Sequence, residues 1–124
     1  MKTRLATITT AFIASTFSMA AEPPAEAKAS SAALISALEA NDHAAFQAKG
    51  DEKFAKALTK ELFGRVQTQL GPRLKAGYEL VYLTELNRQG HKVTLWKLTF
   101  KDGGDDALAT LSMKDGKVTG FFIQ

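Results

Sequence analysis

The amino-acid sequence predicts an α+β domain, with N-terminal helices packed on one face of a four-stranded antiparallel meander. Two observations carry that reading. Between Ser31 and Leu70 the apolar residues recur at three- and four-residue spacing, whereas after Pro72 they recur at every second residue. Three clusters of turn-forming residues, Asn87 to Gly90, Asp102 to Asp106 and Asp115-Gly116, then cut the second half into four short runs. Helices followed by strands, with no alternation of the two, place the helices together on one side of the sheet.

Ahead of the helices the chain reads as a secretory leader over residues 1–20. Met1-Lys2-Thr3-Arg4 is a cationic start, Leu5 to Phe17 contains no charge, and Ser18-Met19-Ala20 offers the small residues that a signal peptidase reads. The uncharged stretch is too short and too rich in Thr, Ser and Ala to span a bilayer, which needs about 20 mostly apolar residues. Cleavage is expected after Ala20, with Ala21 as the second choice, giving an exported protein, periplasmic or extracellular, with no stable membrane insertion. The full chain has 16 Lys and Arg against 13 Asp and Glu, and the leader holds two of the basic residues, so 14 remain against the same 13. That near-neutral balance leaves no footprint for nucleic acid, which requires clustered basic side chains. The chain contains no Cys, so a hydrophobic core alone must hold the domain.

Residues 21–30, "AEPPAEAKAS", read as a disordered linker, and residues 31–124 as a single domain. Ser30 or Ser31 is the expected N-cap of a first helix carrying Leu34, Ile35 and Leu38, which ends at Asn41-Asp42. Asp42 caps a short helix bearing Phe46 that stops at Gly50, and Asp51 starts another through Phe54 and Leu58. Thr59 then caps a longer helix with Leu62, Phe63, Val66 and Leu70 along one stripe, Leu58 and Phe63 forming a hydrophobic staple. Gly71-Pro72 is expected to end it.

The strands are expected over Tyr78 to Leu86, Val93 to Phe100, Ala107 to Met113 and Val118 to Ile123. Asp115-Gly116 suits a two-residue hairpin turn because both positions need positive φ. That turn sets Lys114 opposite Lys117 and Met113 opposite Val118. Continued without interruption, the register puts Ala109, Leu111, Met113, Val118, Gly120 and Phe122 on the core face, and Leu108, Thr110, Ser112, Thr119, Phe121 and Ile123 on the other. Phe122 is then expected to be buried with Leu62 and Val66. Gly120 leaves room opposite Leu111 or lets the strand bulge.

This order of elements, with "ALEAND" (Ala37 to Asp42), "AAF" (Ala44 to Phe46), "LTFKDG" (Leu98 to Gly103) and "KDGKVTGFFI" (Lys114 to Ile123), resembles the short bacterial, exported members of the nuclear-transport-factor-2-like, cystatin-like fold superfamily. The resemblance spans residues 31–124. It implies a curved sheet wrapping a long helix around a cone-shaped cavity, which relatives use for ligands or catalysis, and dimers formed through the outer sheet face.

Catalytic chemistry finds little to stand on. Proton abstraction needs a shielded titratable group with convergent partners, yet His43 falls at the start of a helix, His91 opens a strand, and Glu79 and Glu85 are expected to point outward from the first strand. No catalytic residue and no cofactor are assigned. Asp102, Asp105 and Asp106 crowd a Gly-rich bend, but without the ligand spacing of a calcium loop they read as a solvated hairpin, and no metal is assigned. The expectation is therefore a non-catalytic exported module binding a small apolar or amphipathic ligand in the cone. Its candidate pocket lining is Tyr78, Tyr82, Trp96, Phe100, Met113 and Phe122. The alternative is an interaction module, in particular a homodimer, through an outer face bearing Leu108, Phe121 and Ile123, with Val81 and Leu83 beside them.

Overall fold

Asp42, Asp51 and Thr59 each start a helix with their own side chain. In the computed structural model, which describes residues 22–124, Asp42 accepts from the Ala45 amide, Asp51 from the Phe54 amide and Thr59 from the Leu62 amide. Those bonds satisfy amides that a helix leaves unpaired at its first turn. The leader and its cleavage site lie outside the described residues. Helices α1 (Ala25–Ala40), α2 (His43–Ala48), α3 (Glu52–Ala57) and α4 (Lys60–Lys75) precede β1 (Tyr78–Arg88), β2 (His91–Phe100), β3 (Ala107–Lys114) and β4 (Lys117–Ile123). The strands form one antiparallel sheet in the order β1-β2-β3-β4.

The first helix corrects the linker expectation. It begins at Ala25, so most of the segment read as disordered is helical. Ala27 and Ser30 lie one turn ahead of Ser31 and Leu34 on the same face and are buried with them. Alanine is the strongest helix former, and Pro24 just before the helix sacrifices no intrahelical amide. Asn41 closes α1 in the left-handed conformation at φ 57°.

Helix α4 corrects the expected stop at Gly71-Pro72. It runs through Pro72 to Lys75 and breaks at Gly77, whose φ of 114° suits glycine. The extra turn places Leu74, 1% exposed, in the core, and that burial outweighs the helix interior's aversion to proline. Leu34, Ile35 and Leu38 of α1 meet Leu98 and Leu111 of the sheet and Leu74 of α4 in the same cluster.

Two β-bulges decide which side chains face the helices. Along β1, Tyr78, Leu80 and Tyr82 pair with Phe100, Leu98 and Trp96, but Thr84 then pairs with Leu95, leaving Leu83 unpaired. The extra residue reverses the alternation, so Glu85, opposite Thr94, faces inward and not outward. In the second hairpin Asp115 and Gly116 have φ of 52° and 78°, and Lys114–Lys117 and Met113–Val118 pair as expected. The ladder then slips by one residue: Ser112 pairs with Gly120, Leu111 with Phe121, Thr110 with Phe122 and Ala109 with Ile123. Thr119 is the extra residue. Phe121 and Ile123 therefore face the helices, and Phe122 points outward and is 67% exposed.

Candidate functional site

Most of the residues expected to line a ligand cone pack in or against the core. Trp96 and Phe100 are buried, and Trp96 donates its indole N–H to Thr94 Oγ1 at 2.8 Å. Tyr82 packs edge-on to Trp96 with ring centres 5.3 Å apart. The Arg73 guanidinium lies 3.8 Å from the centre of the Phe100 ring, beside half-buried Tyr78, and Met113 is buried at the other end of the sheet. These five residues of the expected lining are core packing. The sixth, Phe122, is on the opposite face. Of the expected dimer face, Leu108 lies outward, whereas Phe121 and Ile123 have turned inward because of the bulge.

What the bulge creates is an apolar groove between the helices and β4, enclosing about 250 Å³. Its floor is Leu38, Phe46 and Phe63, its helical wall is Leu58, Leu62 and Val66, and its strand wall is Phe121 and Ile123, with Phe122 at the rim. Toward α3 it opens into a shallower trough of about 430 Å³ along Phe54, Gly120 and Phe122, with Lys53 at its end. Leu62, expected in the core, is 43% exposed because it stands on the groove's lip. The Phe46 ring holds the floor, stacking on Phe54 and meeting Phe63 and Phe121 edge-on at 5.4 and 6.0 Å.

Polar ties fix the helical wall. His43 Nε2 donates to the Leu58 carbonyl at 2.8 Å, which places a hydrogen on that nitrogen because a carbonyl only accepts. Its ring lies 5.3 Å from Phe63, and Gln47 Nε2 donates to the Ala55 carbonyl at 2.8 Å. His43 thus joins the corner of α2, α3 and α4. His91 Nδ1 lies 2.9 Å from Thr119 Oγ1, at the bulge.

Two further carboxylates, Asp102 and Glu85, lie beside basic side chains. Arg73 Nε donates to Asp102 Oδ2 and the Gly104 amide to Oδ1, both at 2.7 Å, while Arg73 Nη2 donates to the Asp105 carbonyl. The Arg73 hydrogen bond, and after it the Gly104 amide, hold the Asp102 carboxyl below its ordinary value of 3.8. Glu85 Oε1 is 3.8 Å from Lys92 Nζ. Its Oε2 is buried with no hydrogen-bond partner among the described residues, in a small space shared with Pro24, Glu26 and Ala27 at the start of α1, where the helix dipole favours a negative charge. No group of three His, Asp or Glu suited to a metal ion occurs among the described residues.

No family model matches the chain, and no curated protein matches it. Among solved structures it is similar to the crystal structure of an uncharacterized cystatin-fold protein from Novosphingobium aromaticivorans, with 12% identity and a TM-score of 0.40, over 77% of this chain and 95% of that one. That likeness concerns the arrangement of helices and sheet alone.

Sequence reasoning found the groove's residues without finding the groove. Leu58, Leu62 and Val66 read as staple and core stripe, and Phe121 and Ile123 as outer face. The available signal was Gly120, where a bulge was one of two readings.

Proposed function

We propose that the protein is an exported, non-catalytic binding module that holds an apolar or amphipathic ligand in the groove between α4 and β4. One observation carries the reading: apolar side chains wall an open space of about 250 Å³, a concave apolar lining of the kind ligand sites use, while the interior of the cone is packed. Titration with the fluorescent anion 1-anilinonaphthalene-8-sulfonate, followed by displacement with decanoate, tests it. Saturable binding is expected, weakened at least about tenfold by Leu62→Glu, a change at an exposed position that leaves the core intact. Equal binding by wild type and variant would remove the groove from the account.

A second reading, a homodimer through the outer sheet face, draws on Phe122. Its row across the sheet holds Thr110 and half-buried Leu95, and the next row holds Gly120, Ser112, Val93 and exposed Leu86. An apolar patch of that kind favours a partner surface. Sedimentation over a wide concentration range should show self-association that Phe122→Lys abolishes; a wild type that remains monomeric throughout counts against the dimer.

A further inference from the structure

The strand wall of the groove is also a bare sheet edge. Leu108 N donates to Gln124 O at 2.7 Å and Gln124 N donates to Leu108 O at 3.0 Å. That reciprocal pair fixes the phase of the β3–β4 ladder, because bonded and non-bonded pairs alternate in antiparallel sheets. Thr110–Phe122 is then a bonded pair, while Ala109–Ile123 and Leu111–Phe121 are not. The N–H and C=O groups of Phe121 and Ile123 consequently point away from β3, along the rim of the groove. No other described element supplies a main-chain bond to them.

The preceding stretch of the same edge is already bridged by the segment between α2 and α3. Val118 N donates to Lys49 O and Asp51 N donates to Val118 O, each at 2.9 Å, and Gly50 forms a parallel bridge with Val118. The chain then turns into α3 and leaves the edge open from Phe121 to Gln124, a length of about 10 Å at the usual strand rise. The other outer strand, β1, is differently equipped, with Glu79, Glu85 and Arg88 along it. Charges keep an edge from pairing; from Thr119 to Gln124 there is no charged residue.

We infer that this edge docks an extended polypeptide segment of a partner protein, added to β4 beyond the Lys49–Asp51 bridge, with uncharged apolar side chains at alternate positions. The inference rests on the groove being the binding site. Side chains of the added strand that face the helices enter the space beside Leu58, Leu62 and Val66. Those on the other side lie against Phe122, which accounts for an exposed ring at that position. Main-chain bonds to Phe121 and Ile123 supply affinity, and the groove supplies selectivity.

The test uses the whole domain and a small panel of capped seven-residue peptides in which Val, Leu or Phe alternates with Thr. Each peptide is paired with a copy N-methylated on the amides of one edge, and with another methylated on the opposite edge. Hydrogen exchange read by NMR should slow at the Phe121 and Ile123 amides by at least about tenfold with a bound peptide. Methylation of one edge alone should abolish the effect, and the peptide should displace 1-anilinonaphthalene-8-sulfonate. If the dye binds the groove and no peptide does, or if peptides bind without protecting those two amides, the strand-docking inference falls and the groove stands. If neither dye nor peptide binds, both fall. Protection that is present without peptide and grows with protein concentration would assign the edge to a second copy of this chain, and so overturn the partner-peptide inference.

Discussion

Thr119 decides which way the last strand faces. As the unpaired residue of the β4 bulge it turns Phe121 and Ile123 toward the helices and Phe122 toward solvent. Gly120 takes the outer face beneath Phe122, whose Cε2 stands 3.4 Å from where a β-carbon would be. Neighbouring aromatic residues should therefore respond very differently to truncation. Phe121→Ala should cost about 2–4 kcal/mol, near the lower end for a large core residue because Phe121 is only half-buried. Phe122→Ala should cost less than about 1 kcal/mol, as exposed positions do; urea unfolding of both variants checks the pair. A second prediction concerns Asp102, whose carboxyl is held below its ordinary value of 3.8 chiefly by the Arg73 hydrogen bond. A depressed folded-state pKa contributes stability above the unfolded-state value and loses it as pH falls through the folded one. Melting temperatures of wild type and Asp102→Asn should thus differ at neutral pH and converge as pH drops below 3.8. Because the pair is solvent-exposed, salt should narrow the difference. A gap that stays constant down to low pH would mean the ion pair adds nothing.

Individual elements were legible where a local chemical signal marks them. Asp42, Asp51 and Thr59 announce helix starts because their oxygens accept first-turn amides, and Asp115-Gly116 announces a hairpin because both tolerate positive φ. The bulge at Leu83 carries no comparable mark, since any residue can be the extra one, and that at Thr119 has only the ambiguous Gly120 beside it; each reverses everything beyond it. Glu85 and the Phe121–Ile123 segment were placed on the wrong face for that reason, and the groove was invisible with them. The run through Pro72 was illegible for a different reason: it depends on burying Leu74, a tertiary event. Proline in a helix interior is less favourable than alanine by about 3 kcal/mol, while its stiffening of the unfolded chain returns up to about 1. Pro72→Ala should accordingly raise stability by about 1–2 kcal/mol in denaturant unfolding; a loss would show that the ring is needed where it stands. The early start of α1 also predicts amide protection from residue 28 onward, where a linker would exchange freely. Hydrogen exchange reads this directly.

At the scale of the whole molecule, α1 and the concave sheet form a closed core, and the space left for a ligand lies where the short helices α2 and α3 bring the chain back across the end of β4. No described helix is long and apolar enough to cross a membrane. Three locations compete for the site: the α4–β4 groove, the cone interior and the outer sheet face. Intermolecular nuclear Overhauser contacts between bound decanoate and the methyl groups of the protein separate them most directly. Contacts to the methyls of Leu58, Leu62, Val66 and Ile123 are the predicted result. Contacts to Leu80 and Leu98 inside the cone, or to Leu86 and Leu95 on the outer face, would contradict it.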